Sequence, residues 1–219
     1  MSDTGRAFFI SPIVWEVISH PAAFTSSQPI YCMLSVIAPC YNSYPILLPS
    51  LLLQTHTDWE LILIHDGPDS IGLDRIVEGF NDPRVRLAHT PQRHNDWGHS
   101  LRAIGLKHVN DADFILHSNH DNYYTPTAFK FLLQPFANRE IVGVYCDMVH
   151  SHYAHNLRRS QLSYSHIDCG AIVLRADAAK EIGWKSRQYA ADWKMIVEAK
   201  QRYGVESFAK ISKPLFVHN

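Results

Sequence analysis

Four short apolar runs, each stopped by a polar cluster, constrain this chain more than anything else in it: residues 31–39 (YCMLSVIAP), 60–64 (ELILI), 85–89 (VRLAH) and 114–118 (FILHS). Runs of this length bounded by turn-forming residues read as buried strands. Between them, 45–54, 71–80 and 99–108 read as helices joined by connections of ordinary length. Strand and helix alternating in this way predict an α/β fold with a mostly parallel central sheet, because parallel neighbours need a crossover between them.

Ligands bind such open sheets outside the carboxyl ends of the strands. Polar residues gather at those ends here: Cys40-Tyr41-Asn42-Ser43, then His65-Asp66-Gly67-Pro68-Asp69-Ser70, then Asn119-His120-Asp121-Asn122. A cluster of oxygen-bearing side chains suits a hard divalent cation carrying phosphates. Asn and Asp also favour turns for conformational reasons alone, so the spacing leaves both readings open.

The second half continues in the same style. Residues 126–137 predict a helix with Phe129, Leu132, Leu133 and Phe136 on one face. A strand is expected over 141–146, another over 167–175, a helix over 176–182, and a helix over 189–203 with Trp193, Ile196 and Val197 inward and Gly204 at its end. Residues 206–217 close the chain as a last strand or extended arm. Residues 151–165, rich in His, Tyr, Arg and Ser without a period, are expected to form a mobile surface loop that carries substrate contacts.

With 219 residues, 46% of them hydrophobic, the chain can bury one sizeable core, and it shows no internal repeat. The expected organisation is a loosely ordered N-terminal extension over 1–32 and a single domain over 33–219. The stretch 7–18 (AFFISPIVWEVI) is too short to span a bilayer and is broken by Pro12 and Glu16. An interfacial anchor giving peripheral membrane association is the sharper alternative for it.

A net charge of −1 gives no basic excess, which argues against nucleic acid as a partner and for small molecules. Cys32, Cys40, Cys146 and Cys169 show no CxxC spacing, and two of them lie in apolar runs, which points to a reducing, cytoplasmic compartment. An anchored extension would place the chain at the inner face of the membrane. His150, His152 and His155 with Asp168 or Cys169 offer a zinc set, although structural zinc sites usually show tighter paired spacings.

Four segments, in order, resemble motifs of the family 2 nucleotide-sugar glycosyltransferases with their GT-A fold. LSVIAPCYN is similar to that family's opening SVIIPTYN, and LQTHTDWELILIHDGPDS to its SLLNQTYxxxEIIVVDDGSTD. FILHSNHDNYYTP is similar to FLDSDDYLTP, and AADWKM to its EDWDL segment. Order across four motifs is more specific than any one of them. The resemblance implies a single Rossmann-like three-layer GT-A domain and transfer of a sugar, with inversion, from a nucleoside diphosphate sugar, UDP-linked, to a hydroxyl of a glycan or lipid-linked acceptor, as in polysaccharide biosynthesis.

Carried over residue by residue, the resemblance implies nucleotide contacts at Pro39, Tyr41, Asn42, Asp66, Arg102 and Asn119. It implies a divalent Mn or Mg ion at Asp121, with His218 a further metal position, and a general base at Asp192. The physical reasons are separate from the resemblance: a carboxylate at 66 can accept a base N–H, an Arg can pair with diphosphate, and a carboxylate can take the proton of an attacking hydroxyl. His65, Asn119, Asn122 and Ala191 stand where the family pattern has acids. Those departures motivate the alternative of a degenerate, non-catalytic member that binds a nucleotide or glycan.

Overall fold

The computed structural model describes residues 15–16, 32–69 and 71–219. The expectation for 1–32 lies almost wholly outside them; within it, β1 (Trp15–Glu16) pairs antiparallel with residues 87 and 88 at one edge of the sheet. β2 (Leu34–Cys40) is buried at every residue. Such a strand needs partners on both sides and cover on both faces. α1 (Leu47–Leu52) leads to β3 (Trp59–His65), α2 (Leu73–Phe80) to β4 (Val85–His89), and α3 (His99–Lys107) to β5 (Phe114–His117). β2 pairs in parallel with β3 and β5, and β3 with β4, as the apolar runs predict.

After β5 come the two-residue β6 (Tyr123–Tyr124), α4 (Ala128–Leu133), β7 (Gly143–His150), β8 (Asn156–Arg158), β9 (Ile172–Arg175), α5 (Ala176–Ile182), α6 (Ala191–Tyr203) and β10 (Phe208–His218). The sheet runs β1-β4-β3-β2-β5-β9-β7-β10-β6, with β8 pairing β7. β9 opposes both β5 and β7, whereas β10 lies parallel to β7. The connection from β7 to β9 contains no α-helix, only β8 and two 3₁₀ turns, and brings β9 back antiparallel to β7. The expected strand over 167–175 is shortened, because residues 169–171 form a 3₁₀ turn in which Asp168 Oδ1 accepts the Gly170 N–H at 2.7 Å.

The segment 151–165 departs from the mobile loop expected of it. β8 pairs with the end of β7, and an ion pair between the buried Asp147 and the exposed Lys210 fastens the residues beyond β8: Lys210 Nζ lies 2.9 Å from Asp147 Oδ1 and donates to the Ser160 carbonyl at 2.8 Å. Asp147 Oδ1 also accepts the Ser160 N–H at 2.9 Å, and Lys200 Nζ donates to the Leu162 carbonyl at 2.7 Å. The segment is polar because its fastening is polar, and an apolar periodicity could not reveal that.

Candidate active site

The carboxyl ends of β2, β3 and β5 meet at one cavity of about 510 Å3, lined by Pro39, Tyr41, Asp66, Asn119 and Asp121 among others. Parallel register forces this meeting: Cys40 lies opposite His65, and Ile37 opposite His117. The 118–121 turn is fastened to the end of β2, with Ser118 N–H donating to the Ile37 carbonyl at 2.9 Å and His120 N–H to the Pro39 carbonyl at 3.2 Å. His120 spends its ring locally, with Nδ1 3.1 Å from the Pro39 carbonyl and Nε2 paired with Ser43 Oγ. Asn42, at a φ of 52°, stands exposed at the turn after β2 and lines neither of the two cavities described here.

Asp66 does more than line this cavity. Its carboxylate accepts the backbone N–H groups of His94 at 2.7 Å and Asn95 at 3.0 Å, so it shapes the loop that closes the cavity. Arg93 on the same loop lies 3.8 Å from Asp66 and sets its guanidinium 3.6 Å over the Tyr41 ring. His65, where the family pattern has an acid, is fully buried and pairs Nδ1 with the Gly67 carbonyl at 2.8 Å.

Arg102 is buried, not a solvated helix residue. It donates to the Trp97 carbonyl at 2.9 Å, to the Ser118 carbonyl at 3.1 Å, and to Asn119 Oδ1. It thereby joins the loop before α3 to the turn after β5. The loop needs that hold, because Trp97 and Gly98 both take positive φ, 55° and 77°. A bulky residue in that region costs on the order of 1–3 kcal/mol and persists only where its surroundings impose it. Gly98 is required by space as well: a Cβ there would come 2.5 Å from the Pro39 ring.

Trp97 and Asn119 also line a second cavity of about 320 Å3, so the two cavities share a wall. Asp192 lies in this second cavity, in the first turn of α6, where its Oδ1 accepts the Trp193 N–H at 2.7 Å. Burial, and then the neighbouring Asp168 carboxylate, push its carboxyl up to about 6, against the pull of the Trp193 N–H and Arg102. A carboxyl poised there is ionised at neutral pH yet holds a proton far better than an ordinary Asp, which suits a general base. His150, His152 and His218 stand beside it; the His150 and His218 rings stack at 4.0 Å, and burial first and then the His218 charge pull His150 down to about 4.

Asp121 fits one position of a divalent cation, since its Oδ1 is buried without a protein partner. Asn119 fits less well, its side-chain oxygen being taken by Arg102, and Asn122 is fully buried with its oxygen accepting the Asn219 N–H at 3.4 Å. His218 lines the second cavity, 3.9 Å from Asp168, whereas Asp121 lines the first. Among the described residues no three His, Cys, Asp or Glu side chains converge as a metal's ligands, the His150, His152 and His155 set included. Sequence reasoning missed Trp97, Arg93, Tyr189 and the role of Asp168. An aromatic residue in the turn-forming stretch Asn95-Asp96-Trp97-Gly98 was the one available signal.

Comparison with known proteins agrees with this fold. The model of the family described as glycosyl transferase family 2 matches residues 35–196. The uncharacterized glycosyltransferase EpsJ of Bacillus subtilis (strain 168) is 32% identical over 120 residues, 52% of this chain and 33% of that protein. The chain thus spans about a third of that curated relative. Among solved structures, S. aureus TarS 1–349 in complex with UDP-GlcNAc superposes with a TM-score of 0.71 at 19% identity, over 84% of this chain and 57% of that one. The mannosyltransferase PcManGT from Pyrobaculum calidifontis, in complex with GDP-Man and Mn2+, gives 0.64 at 14% identity, over 84% and 56%. Both likenesses show the GT-A fold.

Proposed function

The chain belongs to glycosyl transferase family 2, and from that premise we propose that it moves a sugar from a nucleoside diphosphate sugar, UDP-linked, to a hydroxyl of a glycan or lipid-linked acceptor, with inversion. The carrying observation is the shared wall. One cavity at the strand ends holds Tyr41, Asp66 and Asp121, and the other, across Trp97 and Asn119, holds the one carboxyl pushed up to about 6. In this reading the donor occupies the first cavity, with its base against Tyr41 and Asp66 and its diphosphate toward Arg102, Asn119 and Asp121.

The acceptor hydroxyl enters the second cavity and gives its proton to Asp192 as its oxygen bonds to the anomeric carbon. The bond from that carbon to the diphosphate oxygen breaks, and the electron pair leaves with the nucleoside diphosphate. Arg102 places a fixed positive charge where the leaving group gathers negative charge. Asp121 would hold a Mn or Mg ion, which when bound neutralises diphosphate charge. His218 has no part in the donor cavity in this scheme. Among the described residues no helix is long and apolar enough to cross a membrane. On the cysteine pattern we place the protein in the cytoplasm, with peripheral association at the inner face of the membrane.

Titration calorimetry with UDP and GDP, with and without Mn, tests the reading. UDP binding strengthened by Mn is expected, and failure of either nucleotide to bind would overturn it. A second reading, nucleotide binding without turnover, is favoured by the neutral residues Asn119 and Asn122 and predicts binding with no transfer or donor hydrolysis.

A further inference from the structure

Exposed aromatic side chains are concentrated on one rim. Trp97 (65% exposed), Tyr153, Tyr164 and Tyr189 (69% exposed) all line the second cavity, and among the described residues only Tyr44 is a large aromatic exposed elsewhere. Single exposed aromatics are ordinary, whereas a group around one cavity marks a binding surface. Their arrangement is held. Trp97 and Tyr189 meet edge to face at 5.8 Å, Tyr164 and Trp193 at 6.2 Å, and Trp97 is kept pointing outward by a backbone conformation that Arg102 anchors.

The charge of the cavity narrows the occupant further. Two carboxylates, Asp168 and Asp192, face it, and Arg102, the lysine or arginine that lines it, holds Trp97, Ser118 and Asn119 and in the transferase reading faces the donor diphosphate. An anionic acceptor would meet two like charges at the cavity floor and would compete with the donor diphosphate for Arg102, while Arg158 at the rim lies over the Tyr153 ring at 3.8 Å. A long acyl or isoprenoid chain would need a continuous aliphatic lining, and the cavity supplies chiefly Met148 and Ile167. A sugar ring has the matching chemistry: an apolar C–H face for a flat aromatic, and hydroxyls for His150, His152 and the carboxylates.

We propose that the acceptor is a neutral glycan whose sugar rings lie against Trp97 and Tyr189 while one hydroxyl reaches Asp192. The proposal rests on the transferase reading and narrows its acceptor class. The test is binding of the full chain to an array of neutral glycans, anionic glycans (uronic-acid and phosphorylated) and a polyprenyl phosphate in micelles, followed by titration of the best ligand. Neutral glycans are expected to bind with little dependence on salt. Trp97→Ala and Tyr189→Ala should each weaken binding by about tenfold, with Trp97→Phe restoring most of it. Tyr189 is a surface side chain, so its variant keeps the test valid should Trp97→Ala unfold.

Binding confined to anionic glycans or to the polyprenyl phosphate overturns the proposal, as does neutral-glycan binding unaltered in Tyr189→Ala. UDP titrated into the same samples separates the two claims. UDP binding without any neutral-glycan binding overturns this inference alone, whereas absence of UDP and GDP binding overturns the transferase reading beneath it.

Discussion

Replacing Asp192 by Asn should make the protein more stable while removing its activity. The Asp192 carboxyl is raised from 3.8 to about 6, chiefly by burial and then by Asp168. The folded state therefore holds this proton more tightly than the unfolded chain does, the reverse of the usual Asp. Ionising it costs stability: the penalty is absent below about pH 4, grows as pH rises toward 6, and is complete above that. At 1.36 kcal/mol per pH unit the full penalty at neutral pH is on the order of 3 kcal/mol. Asn keeps the hydrogen bond from the Trp193 N–H and carries no charge, so Asp192→Asn should recover about 1–3 kcal/mol, a Tm rise of several degrees for a chain of this size. Melting wild type and variant in parallel from pH 4.5 to 8 checks this. The gap should be small at the acid end and widen through pH 6. A variant that melts at or below wild type throughout, or a gap that does not change with pH, would refute the reasoning.

Gly98→Ala forces a Cβ to 2.5 Å from the Pro39 ring at a φ of 77°, and urea unfolding should show a loss of about 2–4 kcal/mol. Arg102→Met removes the guanidinium that holds Trp97, Ser118 and Asn119; UDP affinity measured by calorimetry should fall by at least about tenfold. Arg102 also lowers the Asp192 carboxyl, so the acid limb of the pH–rate profile, set near 6 in wild type, should move to higher pH in any Arg102→Met that retains activity. Lys210→Met leaves Asp147 buried opposite Ser160 without its cation. Stability should fall by about 1–2 kcal/mol, the pair being half open to solvent, and limited proteolysis should cut within residues 156–162 before any cut appears in wild type.

The parallel half of the sheet was legible because β2, β3 and β5 are covered on both faces, which writes itself as continuous apolar runs ending in turn residues. Strand direction is not written that way. The Ile172–Arg175 run looks alike whichever way it lies in the sheet, so its antiparallel placement was out of reach. β8, with two of its three residues exposed, pairs through its backbone and leaves no apolar trace. In the site, the ordered motifs singled out Asp66, Asp121 and Asp192 as candidates, and the loop before α3 singled out Arg102. What makes Asp192 unusual comes from its burial and then from Asp168, both of which only the fold supplies. The left-handed turn at Trp97 likewise depends on Arg102 and on the close approach of Gly98 to Pro39.

The claim that two adjoining cavities hold donor and base is tested most directly by measuring UDP affinity and transfer rate together in Asp192→Asn. The account predicts a Kd for UDP within about threefold of wild type, because Asp192 lines only the second cavity, and a transfer rate lower by about 100-fold or more. Transfer at the wild-type rate by this variant would contradict it.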